Sequence, residues 1–193
     1  SEIQFGRNVR FGSSQVGHFA VTRSQRNTTA LFGAGVIDAI PVKVLKALEE
    51  AQKSNKEISG RVALLKNGKI GRFGWTGQTA SLEDFVLTAC AVELGLNVRD
   101  HPQAGIPQMP TYKPAGLDLN LDECKALINY VGSLPAPAQR ELADATDAAY
   151  VNAGHKLFTT IGCAACHTQN VGDAKDVFSD LLLHDMGEDL GDT

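Results

Sequence analysis

Five consecutive residues, Cys163-Ala164-Ala165-Cys166-His167, constrain this chain more than any other feature. Two thiols separated by two small residues can add to the two vinyl groups of one porphyrin, while the adjoining imidazole is delivered to the iron as proximal ligand. The spacing predicts a haem c held covalently by Cys163 and Cys166, with His167 as metal ligand. Three other chemistries use paired cysteines: a thioredoxin-like redox pair, half of a zinc site, and a plain disulfide. A redox pair wants a preceding strand and a βαβ setting, and a zinc site wants a second ligand pair. No other Cys or His pair in the chain is closely spaced. Attachment of haem through thioethers takes place outside the cytoplasm, so the motif also predicts a periplasmic protein or its equivalent.

Composition narrows the remainder. With 193 residues, 43% of them hydrophobic and 21% charged, a core of ordinary size forms without disulfide stapling. The net charge of -4 offers no basic field, so no nucleic-acid partner is expected. The longest mainly apolar stretch, residues 85–96, contains Thr88 and Glu93 and falls short of the roughly 20 residues a membrane helix requires. No membrane span is expected. The start, Ser1-Glu2-Ile3-Gln4, lacks a basic and an apolar signal region, so any secretory signal is expected to have been removed or to lie outside this chain.

The pattern along the chain reads as mainly α with one small β-hairpin and long loops. Residues 1–35, glycine-bearing and without a sustained helical period, read as extended loop. Pro41 is placed to be the first residue of a helix whose face carries Val42, Leu45, Leu48 and Ala51. Two short runs around Asn67-Gly68 read as a hairpin, since both turn positions accept positive φ. Ser81 and Asp84 open the next helix in the manner of a capping box, with Asp in place of Glu. Asn120 and Glu123 open another, whose stripe of Leu121, Cys124, Leu127, Ile128 and Val131 makes Cys124 a core residue, as Cys90 is in the helix before it. Leu134-Pro-Ala-Pro-Ala138 is the best boundary in the chain, dividing residues 1–134 from 135–193. Beyond it a helix from Thr146 to Thr160, with Ala149, Leu157 and Phe158 as apolar members, leads into the cysteine motif.

Several segments together resemble a known family. Gly154-His155-Lys156-Leu157-Phe158 ahead of Cys163-Ala-Ala-Cys-His167 looks like the approach to haem in many c-type cytochromes. Three others are narrower: Phe178-Ser-Asp-Leu-Leu-Leu-His184-Asp-Met-Gly187, Gly71-Arg-Phe-Gly-Trp75, and the run from Arg26-Asn27 to Pro41. They resemble the di-haem oxidoreductases related to bacterial di-haem cytochrome c peroxidases, over most of the chain from about Gly17 to Leu190. The resemblance implies two covalent haems in two cytochrome-c-like helical domains, one a redox store and one the site of peroxide reduction. It further implies that residues 1–134 are a first such domain without a haem motif of its own, and residues 135–193 the start of the second.

Individual roles follow from the same resemblance. Trp75 is similar to a tryptophan that lies between the haems and assists electron transfer, its alternative being an aromatic cap on the core. Glu93 resembles the acidic residue at the peroxide site, where a carboxylate moves a proton between the peroxide oxygens; a solvated helix-end glutamate is the alternative. His18 is placed like the distal ligand of the family's first haem, or is a surface-loop histidine. The sixth ligand of the surviving haem is open among Met186, His184, Met109 and a residue outside the chain. Met186 is alternatively a packing residue, and His184 alternatively a partner of Asp185 that orients the loop. His101 and His155 read as surface or packing histidines. A complete member carries two CxxCH motifs and this chain has one, so a fragment is expected, with one haem here and two in the whole.

Two functions stand against each other. One is a peroxidase-like di-haem oxidoreductase whose partners are an electron-donor or electron-acceptor redox protein and the missing remainder of its own chain. The other is a simple electron-transfer cytochrome c without a substrate, which would have no use for the long segment before its haem helix. A third, a non-catalytic module, follows if Cys163 and Cys166 are merely oxidised.

Overall fold

A computed structural model describes residues 3–11, 14–23, 30–55, 58–103, 105–106, 109, 111–138 and 140–187, and for residues 3–23 the backbone alone. The chain divides into two compact units, residues 1–30 and 31–193.

The first unit corrects the expectation of an extended loop. Strands β1 (Ile3–Phe11) and β2 (Ser14–Arg23) pair antiparallel, with Ile3 opposite Arg23 and Asn8 opposite His18, and the register shifts between Val9 and Arg10. Ile3, Phe5, Val9 and Phe11 stand at odd positions, interrupted only by Arg7, which is the period of a strand and not of a helix.

The second unit is mainly helical, as expected. In order come α1 (Ala34–Asp38), α2 (Val42–Gln52), the short strands β3 (Ala63–Leu64) and β4 (Ile70–Gly71), α3 (Leu82–Val92), α4 (Leu121–Ser133) and α5 (Ala145–Thr160). Pro41 stands one position outside α2, its ψ of 139° still extended, so the helix begins at Val42. The Asn67-Gly68 turn is real but differs in kind. Gly68 alone takes positive φ, at 78°; its N–H donates to Leu65 O, and Leu65 N–H donates to Lys69 O. The result is a type I turn closed by a left-handed glycine, with Asn67 Oδ1 accepting from Lys69 N–H at 3.0 Å.

Helix starts follow the residues that cap them. Ser81 accepts from Asp84 N–H at the start of α3, and Asn120 with Glu123 makes a reciprocal box at α4. Asp144 caps α5, accepting from Thr146 and Asp147 N–H, so the helix begins at Ala145, one residue before the expected Thr146.

Three apolar clusters hold the second unit together. Ala34, Phe73, Leu82, Val86 and Val131 join α1, α3 and α4, while Leu87, Cys90, Ala91, Val98 and Cys124 extend that seam. Both cysteines are buried free thiols, and burial, followed by the neighbouring Cys124, pushes the Cys90 thiol up. The third cluster bears on the site: Ile40, Leu45 and Ile70 enclose Val171, which lies four residues past His167. Arg72 braces it, one guanidinium nitrogen donating to the carbonyls of Ile37, Asp38 and Ile40 at the end of α1.

Helix α5 departs from this pattern. None of its residues is buried, and Tyr150, Leu157 and, just beyond it, Ile161 are 74%, 57% and 64% exposed. The expected apolar members Ala149 and Leu157 therefore do not join the core, and Phe158 is half-buried.

Candidate functional site

The chain leaves α5 through Gly162, whose left-handed φ of 92° starts a single 3-10 turn over Cys163–Ala165. His167 N–H donates to Cys163 O at 3.0 Å, so both cysteines and the histidine share one short turn. The His167 imidazole is oriented by the backbone beyond it. A carbonyl can only accept, so Nδ1–H donates to Phe178 O at 2.9 Å and the lone pair is left on Nε2. That arrangement directs a free imidazole nitrogen outward from a fixed ring, the orientation of a metal-ligating histidine. The ring lies 6.2 Å from Phe158, which in turn meets Phe178 edge-on.

The carbonyl that holds His167 belongs to a strained segment. Asp176, Phe178 and Leu181 take left-handed φ values of 54°, 49° and 57°, a conformation that costs a non-glycine residue roughly 1–3 kcal/mol. Surrounding bonds impose it: Val177 N–H donates to Gln169 O, Gln169 Nε2 to Asp176 Oδ1, and Asp180 N–H to Cys166 O.

Below the turn lies a buried carboxylate that the sequence reading did not single out. Asp180 is 2% exposed, the one buried charged residue among those described. Its Oδ1 accepts from Leu182 N–H at 3.0 Å, and its Oδ2 accepts from Gln52 Nε2 at 2.8 Å and His184 Nε2 at 2.9 Å. His184 thus pairs with Asp180 and not with Asp185, because Asp180 is the carboxylate that the turn at Leu181 brings inside. The other His184 nitrogen, Nδ1, lies 3.9 Å from Cys166 Sγ. Burial, then the Asp180 charge, pushes the Cys166 thiol up.

Of the residues expected at a site, Cys166, His184 and Met186 line one cleft together with Ile58, Ser59 and Asp185. Met186 itself is 63% exposed. Trp75 lies elsewhere, 55% exposed in the tight loop after β4, and Glu93 caps the C-terminal end of α3, also exposed. Met109 is exposed in the loop before α4. His18 stands in β2 of the first unit. Arg26, Asn27 and residues 188–193 lie outside the described residues. His101 is held by Arg99 O and lies 3.6 Å from Asp84, and His155 is exposed on α5. Among the described residues no group of three or more His, Cys, Asp or Glu gathers around one metal position.

A family model described as "Di-haem oxidoreductase, putative peroxidase" matches residues 7–193. The chain belongs to this di-haem oxidoreductase family. No curated protein and no solved structure matches it. Membership implies haem as the cofactor and oxidoreductase chemistry as the class. No helix among the described residues of this di-haem oxidoreductase is long and apolar enough to cross a membrane.

The residues present fit a haem. Two free thiols stand on one turn with an imidazole whose Nε2 is unengaged, and the apolar side chains of Leu157 and Ile161 stand exposed on the approach to that turn. An iron porphyrin needs thiols, an axial nitrogen and apolar contact surface.

Proposed function

We propose that this chain is part of a periplasmic c-type di-haem oxidoreductase that reduces peroxide with electrons from a redox protein. The single observation that carries the reading is the His167 imidazole, fixed through Nδ1 on Phe178 O with Nε2 free beside Cys163 and Cys166. In it, Cys163 and Cys166 hold one haem by thioether bonds, His167 is its proximal ligand, and Met186, in the cleft beside Cys166, is the candidate sixth ligand. When bound, haem supplies iron that passes single electrons and cleaves the peroxide O–O bond.

The chain's own residues do the rest. Phe178 O holds the His167 ring at one angle and keeps its tautomer. Leu157 and Ile161 supply apolar surface that keeps water from the bound group. Trp75 offers an aromatic path for electrons toward a second haem, and Glu93 accepts and returns the proton that peroxide cleavage requires. His18 would be a ligand of that second haem. The division at 134/135 belongs to the same proposal, with the remainder of the full protein supplying the second CxxCH.

Purified from a host that attaches haem c, the chain is expected to gain the mass of one haem, and the Cys163→Ser/Cys166→Ser double variant to gain none. In the full-length protein, Glu93→Gln is expected to slow peroxide-dependent oxidation of a reduced donor cytochrome by about 100-fold or more. A chain recovered without haem overturns the reading. One specific observation favours a second reading, an electron-transfer cytochrome without catalysis: Glu93 is exposed and does not line the cleft beside Cys166. No peroxide turnover by the haem-loaded full-length protein would establish that alternative, whereas turnover unchanged by Glu93→Gln would remove Glu93 alone from the mechanism.

A further inference from the structure

The two cysteines of the motif sit in unlike surroundings. No side chain among the described residues hydrogen-bonds Cys163 Sγ, whereas Cys166 Sγ faces the end of a chain of bonds that begins at the end of α2. At the last residue of α2, Gln52 Oε1 accepts from Gly60 N–H at 2.7 Å, so its amide is oriented and Nε2 is aimed at Asp180 Oδ2, 2.8 Å away. Asp180 also accepts from Leu182 N–H and from His184 Nε2, three donors on one buried carboxylate. Because a carboxylate accepts, Nε2 of His184 carries the hydrogen and Nδ1 carries the lone pair. That lone pair is the atom facing Cys166 Sγ at 3.9 Å, a long contact suited to a thiol donor.

Two further features tie the network to this sulfur. Asp180 N–H donates to Cys166 O at 2.9 Å, so the backbone of one is registered on the other. A Cβ at Gly60 would come within 2.5 Å of Gln52 Oε1, 2.7 Å of Leu182 Cδ1 and 2.9 Å of His184 Cε1, so the side chains of the network occupy the space that the glycine leaves.

We propose that Gln52, Asp180 and His184 are positioning residues for the thioether bond at Cys166: they turn its S–H toward His184 Nδ1 and so aim the sulfur at the haem vinyl group it joins. The proposal rests on the covalent-haem reading above. In the addition the vinyl C=C π bond breaks, an S–C bond forms to the inner vinyl carbon, and the hydrogen lost by the thiol ends on the outer carbon; no electrons enter or leave. Cys163 makes the same bond without such a device. Both His184 nitrogens are thereby engaged, one on Asp180 and the other on the sulfur.

The test compares the wild-type chain with Asp180→Asn, His184→Gln and Gln52→Ala, each produced in a host that attaches haem c. Intact mass reads total attachment, N-ethylmaleimide followed by peptide mapping reads free Cys163 and Cys166 separately, and the pyridine haemochrome reads any vinyl group left unsaturated. Misplacing a reacting atom by about 1 Å costs on the order of 100-fold, so attachment at Cys166 is expected to slow about tenfold to 100-fold. The variants then accumulate haem held by Cys163 alone, with Cys166 open to the maleimide. Cys163 is the internal control, because a general folding defect lowers both. Asp180 is buried and its substitution bears on folding; His184→Gln, at a partly exposed ring, carries the test by itself. Haem on wild type with both thioethers formed at the wild-type rate in His184→Gln overturns this proposal alone. A wild-type chain without covalent haem overturns it together with the reading it rests on.

Discussion

Helices α4 and α5 begin alike and end in opposite surroundings. Both open on a side chain that accepts from two backbone N–H groups, Asn120 in one and Asp144 in the other. Helix α4 then buries Cys124 and Val131 in the apolar clusters it shares with α3, while the longer α5 buries nothing. Most helical stability in a folded protein comes from packing an apolar face, so the two are held by different means. The first belongs to a core that the chain completes by itself. The second carries exposed apolar residues toward the Cys163–His167 turn, where the proposed haem would cover them.

Four measurements break or sharpen that contrast. Leu82, 3% exposed, packs with Val131 of α4, and Leu82→Ala is expected to lower the urea unfolding free energy by about 2–5 kcal/mol. A loss below 1 kcal/mol would mean that the α3–α4 seam is not the core described here. Asn120→Ala removes the acceptor at the start of α4 and is expected to cost about 1 kcal/mol in the same assay. Leu157→Ala on α5 is expected to stay within about 0.5 kcal/mol in the haem-free chain. Its cost is expected to rise once haem is attached, and equal costs in the two forms would show that α5 does not face the group.

The smallest effect is one of pH. Backbone N–H groups of Asp147 and then Thr146 hold the Asp144 carboxyl below its usual value of 3.8. A carboxyl whose folded value is depressed stabilises the fold in full above the unfolded value and loses that contribution as pH falls through the folded one. Helicity of α5 is therefore expected to fall on acidification below the ordinary aspartate range. Asp144→Asn caps without titrating, so circular dichroism of that variant should lack this component; identical acid profiles would remove Asp144 as the cause.

Local signals were legible residue by residue. The capping pairs at Ser81 and Asn120 and the turn at Gly68 are written in neighbouring residues, whereas the stripes hold only in part: Leu45 and Leu48 of α2 and Cys124, Leu127, Ile128 and Val131 of α4 turn inward, while Val42, Ala51 and Leu121, at the helix ends, are exposed. The N-terminal hairpin is legible too, in the alternation from Ile3 to Phe11, although Gly6, Gly12 and Gly17 give the same stretch the composition of a loop. What could not be read was which apolar residues end up covered. Leu157 and Val131 both occupy plausible faces of amphipathic helices, and only the packing of α4 against α1 and α3 separates them.

The candidate site divides in the same way. Cys163, Cys166 and His167 lie within five contiguous residues, and the reach of two thiols and one imidazole depends only on the bonds between them, so the sequence by itself determined that the three stand together. Asp180 and His184 lie in the segment whose resemblance pointed to the family, yet their roles were not visible there. Gln52 comes from the end of a distant helix, and the third cluster decides that it meets them: Leu45, Ile70 and Val171 pack together and bring α2 against the segment after the motif. A buried carboxylate is tolerable only where several donors converge on it, and donors so far apart along the chain converge only after the tertiary structure has formed.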